Sequence, residues 1–185
     1  MNRHQYKDLV IELVDEPTFK FGSVDNNFNY SKTYFGVNSE NYPTSKHGIK
    51  VYREEQIVDS CIIIGSGGAT VVHQNSSLVD DCQLVICCCD TIFGLTLPGL
   101  ELKWQTQADQ STCFEIHKLC EDYIVHGELL ISRLDREGNI KWQFGGSDIF
   151  LSFDNDEAFK LYADHIALTD FKNTTYKIDF DGKIF

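Results

Sequence analysis

Basic residues are in short supply in this chain: 16 Lys and Arg stand against 28 Asp and Glu, a formal net charge of −12. Phosphate backbones are bound by clustered cations, so nucleic acid is not an expected partner. No stretch approaches the run of about 18 apolar residues that crosses a bilayer, so no membrane span is expected. Met1 to Asp8 is polar and mixed in charge, with no apolar segment behind it of the kind a secretory leader carries. Helix signals are thin too. There is one Met, and no long segment repeats its apolar residues at the 3.6 spacing of an amphipathic helix. Only three prolines occur, and no Gly/Ser-rich linker divides the chain, which argues for one domain over residues 1–185. The cysteines, 61, 82, 87, 88, 89, 113 and 120, are odd in number and three are consecutive. That is not the evenly spaced framework of a secreted disulfide protein, and it favours small buried thiols in a reducing, cytoplasmic setting.

What the sequence has in quantity is short β-branched and aromatic runs. An apolar share of 42% is ample for a core. The runs 9–14, 48–52, 60–64, 69–73, 83–89, 92–97, 100–105, 113–119, 123–126, 129–134, 140–144, 149–153, 158–162, 165–169, 175–180 and 183–185 are punctuated by Gly, Asn, Asp, Ser or Pro. They predict an all-β, antiparallel meander. Two stretches are near copies, Leu134-Asp-Arg-Glu-Gly-Asn-Ile140 and Ile178-Asp-Phe-Asp-Gly-Lys-Ile184, each with a glycine where a tight hairpin needs positive φ. A looser third copy ends in Leu102-Lys-Trp104, matching Ile140-Lys-Trp142, with the tryptophans 38 residues apart. A recurrence near 40 residues made of short strands is the period of a four-stranded propeller blade.

On those residues the region from about 84 to 185 resembles propeller repeats of the pyrroloquinoline-quinone or WD kind, most closely at Leu134–Trp142. The stretch Asn139–Phe150 is also similar to small uncharacterised bacterial proteins, some of them of toxin-immunity type, a resemblance that implies a protein partner. Two or three blades cannot close a ring, and the last copy reaches Phe185, one residue short of the tryptophan position. The expected architecture is therefore about three blade-like units over residues 61–185, open rather than ringed, with an N-terminal β lobe over residues 1–60. Open sheet edges in such a stack make self-association a further expectation.

Several motifs invite chemistry. Ile62-Ile-Ile-Gly65-Ser-Gly67-Gly68-Ala-Thr70 begins like a dinucleotide loop, yet the third glycine position is Thr70 and residues 69–81 are poor helix formers. A glycine turn between strands is the preferred reading. Cys87 and Cys89 share a strand face, as do Cys113 and His117, so the four are weak candidates for a tetrahedral zinc site; packing in a crowded layer is the main reading. No other Ser, Cys or His stands at the spacing of a local nucleophile motif, and no cofactor is expected. The acidic excess is concentrated in residues 61–185 (19 acidic, 9 basic) against residues 1–60 (9 and 7). Asp135, Glu137, Asp148, Asp154 and Asp156 are the candidate contacts for a basic protein, whose encounter such a field would accelerate. The expected function is a non-enzymatic protein-binding module, an immunity-type inhibitor of a basic toxin. The alternative is a small-molecule or metal-binding enzyme or sensor using the Cys/His layer or the Gly65–Gly68 loop.

Overall fold

Runs this short bury best by pairing with the run that follows, because a tight turn loses little chain entropy. The computed structural model describes residues 1–152 and 158–185, and the strands fall into four separate sheets. The first contains β1 (Asn2–Tyr6), β2 (Leu9–Asp15), β3 (Lys32–Phe35), β4 (Ser45–Arg53) and β5 (Gln56–Gly65) in the order β1-β2-β4-β5-β3. Its pairs are antiparallel except for β3, which lies parallel to β5. Without β3 this sheet is a four-stranded meander, so the N-terminal lobe follows the same plan as the later units, with residues 16–44 inserted.

Two plain meanders come next: β6 (Ser77–Asp80), β7 (Gln83–Cys88), β8 (Thr91–Thr96), β9 (Leu102–Gln107), then β10 (Cys113–Leu119), β11 (Asp122–Gly127), β12 (Leu130–Leu134), β13 (Ile140–Gly145). The fourth sheet holds β14 (Phe159–Leu161), β15 (Ile166–Thr169) and β16 (Thr175–Ile178), extended by one bridge between Ile178 and Ile184.

The sheets stack face to face in chain order. Ile11, Leu13, Ile49 and Ile63 of the first meet Leu84, Ile86, Phe93 and Leu95 of the second. Val85, Cys87 and Ile92 on the second sheet's other face meet Ile116, Tyr123 and Val125. Ile124 and Ile131 then meet Phe159, Ile166, Leu168 and Ile178. Central strands are thus buried on both faces, which is why β7 reads as an unbroken apolar run. On the outer side of the first sheet, Ile62 and Ile64 are covered by Phe19, Tyr30 and Phe35 of the inserted segment.

Three expectations need correction. The run 60–64 belongs to β5, so the N-terminal unit extends to Gly65 and the lobe boundary at residue 60 falls inside a strand. Residues 69–73 are not a strand, because their backbone bonds elsewhere: Thr70 N–H donates to Ser45 Oγ and Val72 N–H to the Asp15 carboxylate. The second sheet instead begins at β6, after a single 3-10 turn over Gln74–Ser76. Residues 149–152 likewise form no strand; Phe150 N–H is spent on Glu128 O.

Candidate functional site

In a meander of four strands, the first and third hairpins open at one end and the second at the other. Carboxylates from the hairpins therefore sort by end. At the first end lie the β6–β7, β10–β11 and β12–β13 turns, stitched together by Arg136, whose guanidinium reaches Asp81 (2.5 Å), Glu121 (3.1 Å) and Asp80 (3.4 Å). Lys118 also pairs with Asp80 (2.5 Å), and the Tyr123 hydroxyl donates to the same carboxylate. Burial pushes the Asp80 carboxyl up, but hydrogen bonds from Lys118 and Tyr123 outweigh it and the net shift is down.

Asp135 and Glu137 occupy the β12–β13 turn and play different parts. Asp135 Oδ1 accepts the N–H groups of Glu137 (3.0 Å) and Asn139 (2.8 Å), and Oδ2 accepts Asn139 Nδ2. The same bonds recur in the turn after β16, where Asp179 accepts from Asp181 and Lys183. They recur again between β15 and β16, where Asp170 accepts from Lys172 and Thr174. Asp135 is therefore a turn former. Glu137 and Asp181, at matching positions before Gly138 and Gly182, point exposed charge away from the turns. Asp148 lies after β13, at the opposite end, paired with Lys172 at 3.0 Å. Asp154 and Asp156 lie outside the described residues. The three described acids singled out by sequence, Asp135, Glu137 and Asp148, do not form one patch. The sequence reading passed over Asp81, Glu121 and Asp181, and the two similar turns were the signal that could have found Asp181.

The cysteine layer also departs from expectation. Cys89 sits in the β7–β8 turn with φ +55, so strand alternation ends before it. Cys88 and Cys89 join the core between the first two sheets, whereas Cys87 and Cys113 join the core between the second and third. His117 is elsewhere, 2.9 Å from Glu115 and stacked on Phe159. The four metal candidates do not converge, and among the described residues no group of three or more His, Cys, Asp or Glu is arranged to hold a metal ion. Burial pushes the Cys87 and Cys113 thiols well up. All seven cysteines are free thiols.

The Gly65–Gly68 loop is packed against protein. A Cβ on Gly65 would meet Cys88 O and the sulfurs of Cys88 and Cys89 at 2.8 Å, and one on Gly68 would meet Thr112 Oγ1 at 1.9 Å. The glycines let this crossing strand-to-strand connection approach the neighbouring backbone, where Gly68 N–H donates to Ser111 O and Asp90 N–H to Ser66 O. Beside it runs a chain that sequence reasoning missed, since its members come from three elements. Asp15 Oδ1 lies 3.0 Å from His47 Nδ1, and His47 Nε2 lies 3.0 Å from Thr70 Oγ1. Thr70 Oγ1 in turn accepts the Cys89 N–H. Burial pushes the His47 imidazole below its ordinary value against the pull of Asp15. A hydrogen bond from Cys88, with others from Ser45 and Thr70, lowers the Cys89 thiol to about 7. The order resembles a hydrolase relay, but its hydroxyl is committed to the turn backbone, and the chain pins the first sheet to the second.

No protein-family model matches the chain, and a search of curated proteins finds no match. Among solved structures, one match is the crystal structure of a computationally designed protein, Ika8, at a TM-score of 0.47 and 10% identity. The match covers 99% of this chain and 59% of the designed one, so this chain spans about three-fifths of that protein's length.

Proposed function

We propose that this protein is a non-enzymatic binding module whose acidic end receives a basic protein, in the manner of an immunity protein and its toxin. The observation that carries the reading is the first end of the stack. Glu137 and Asp181 project exposed carboxylates from matching turns there, and Asp81 and Glu121 crowd a single guanidinium, Arg136. Four sheets fixed face to face hold these turns in a rigid row, which keeps the loss of conformational freedom on binding small. A rigid rim on which carboxylates outnumber the cations Arg136 and Lys118 speeds encounter with a cationic surface and selects against anionic ones.

The test is kinetic. A basic partner recovered by affinity capture is measured for association rate at low and physiological salt, against the wild-type protein and a Glu137→Lys/Asp181→Lys variant. Neither carboxylate holds its turn, so the variant keeps the fold. The expected result is association roughly tenfold slower for the variant at low salt, with the difference shrinking as salt rises. Equal rates for the two proteins at low salt would refute the acidic end as the receiving surface.

A further inference from the structure

The seam between the third and fourth sheets holds a polar set that the proposed partner surface does not use. Glu115 and His117 stand two apart on β10 and so share a face, and His126 of β11 is the cross-strand neighbour of Glu115. Phe159 of β14 lies nearly parallel to both imidazoles, with ring centroids 5.0 Å from each and interplanar angles of 20° and 14°. His117 Nε2 is 2.9 Å from Glu115 Oε2, and Asn75 Nδ2 donates to Glu115 Oε1 at 3.3 Å. Together with Lys160 these side chains line a cleft of about 300 Å³.

His126 is the unsatisfied member. The residue is 8% exposed. Its Nε2 lies 3.0 Å from the Phe150 carbonyl oxygen, which can only accept, so Nε2 carries a hydrogen. In the neutral ring that leaves Nδ1 as a bare lone pair. Nδ1 is buried without a hydrogen-bond partner, and Glu115 Oε2 lies 3.9 Å away. Two acceptors facing each other across that gap repel. A proton on Nδ1 needs no extra room, and it turns the same pair into a charge-assisted hydrogen bond.

We propose that His126 is a proton-operated latch, whose protonation at Nδ1 closes the gap to Glu115 and tightens the docking of the fourth sheet on the third. Three contacts transmit the change: Phe159 stacked on the ring, Phe150 held through its carbonyl, and Phe114 edge-on at 5.4 Å. Glu115 remains an anion throughout, because its hydrogen bond to His117, the largest of the influences that outweigh its burial, holds its carboxyl well below the usual carboxylate range. Among the described residues, the charged or titratable groups facing His126 are Glu115 and His117 from β10; β14 presents the apolar Phe159, and the neighbour from β12 is the apolar Ile131. Lys160, next to Phe159 on β14, reaches only the cleft rim: its side chain leaves the sheet on the opposite face, with its ammonium over the Tyr162 ring.

The test combines native-state amide exchange with imidazole nitrogen shifts. As pH falls from about 7.5 to about 5.5, through the range where imidazoles take up protons, protection of the β14–β16 amides, corrected for intrinsic rates, is expected to rise roughly tenfold relative to β7 and β8. Over the same range His126 Nδ1 should move to the protonated shift. In Glu115→Gln, which keeps the shape and removes the charge, the relative rise should disappear. The latch is overturned if His126 stays neutral at pH 5.5, if wild-type protection does not rise, or if Glu115→Gln keeps the full response.

Discussion

Carboxylates dominate this molecule at the scale of single residues, but a large part of them serves the backbone. Asp109, 1% exposed, accepts four main-chain N–H groups, those of Ser111 and Thr112 on one oxygen and Leu129 and Leu130 on the other. Asp135, Asp170 and Asp179 close hairpins in the same way. This is why an acidic cluster in the sequence was a poor guide to a contact surface: a carboxylate that caps a turn and one that faces solvent have the same neighbours in the chain. Asp122 is a third kind, buried and held by Arg133 (2.5 Å) and Lys141 (2.7 Å). Burial pushes its carboxyl up, and the hydrogen bonds from Lys141 and Arg133 overcome this to hold it below the ordinary value. A carboxyl depressed on folding stabilises the native state above its unfolded pKa of about 4, and that contribution drains away as pH falls toward the folded value. Urea unfolding should therefore show Asp122→Asn less stable than wild type by about 2 kcal/mol at pH 7, with the gap narrowing near pH 3. A gap that stays constant between the two pH values would show that Asp122 acts by shape alone.

At the scale of elements, the last hairpin turn of the third sheet and of the fourth seats the tryptophan of the sheet before it. Gly138, at φ +83, lies against Trp104, and a Cβ there would come within 2.3 Å of the indole; Gly182, at φ +77, meets Trp142 at 2.8 Å. Trp104 Nε1 donates to Gln83 Oε1 and Trp142 Nε1 to Phe180 O, so both indoles are fixed at each edge. Gly138→Ala should cost on the order of 1–2 kcal/mol and shift the tryptophan emission, since the new methyl must displace Trp104 while its backbone sits in the left-handed region. Gly99→Ala, where no atom lies within 4 Å of the built Cβ, should stay within about 0.5 kcal/mol. Equal losses at the two glycines would undo this account. These turns also mark what could be read in advance. The Asp-x-x-Gly-x-Ile copies and the paired tryptophans were visible in the sequence because turn chemistry is local. The all-β class and most strands followed from the alternation of apolar runs and breakers. What stayed hidden depends on meetings between distant segments. Examples are the Asp15–His47–Thr70 chain, the seating of Cys88 and Cys89 together, and the membership of Cys61 to Gly65 in the first sheet. The β1 strand, Asn2–Tyr6, was hidden for another reason: its burial alternates, yet its residues are mostly polar.

At the scale of the whole molecule, a linear stack of sheets must stop at each end without leaving an apolar layer bare. The first sheet is covered on its outer side by Phe19, Tyr30 and Phe35. The fourth sheet stops by composition. Cross-strand register sets Lys160, Ala167 and Lys177 in one row on the face opposite Phe159, Ile166, Leu168 and Ile178, and both lysines are exposed. In the second sheet, the central row at either face is apolar, as with Val85 and Cys87 on one side and Leu84 and Ile86 on the other. Two ammonium groups flanking a single methyl make the last face a poor seat for another sheet, because packing there would strip both charges of water. The edge strands β9 and β13 carry exposed lysines as well, Lys103 and Lys141, which discourages pairing along the sheet edge. If the lysine row is what ends the stack, Lys160→Leu/Lys177→Leu should restore an apolar layer around Ala167 and drive association of the protein. Sedimentation velocity at matched concentrations should then show a larger species for the double variant than for wild type. Identical sedimentation would mean that the shape of the last face, and not its charge, limits the stack.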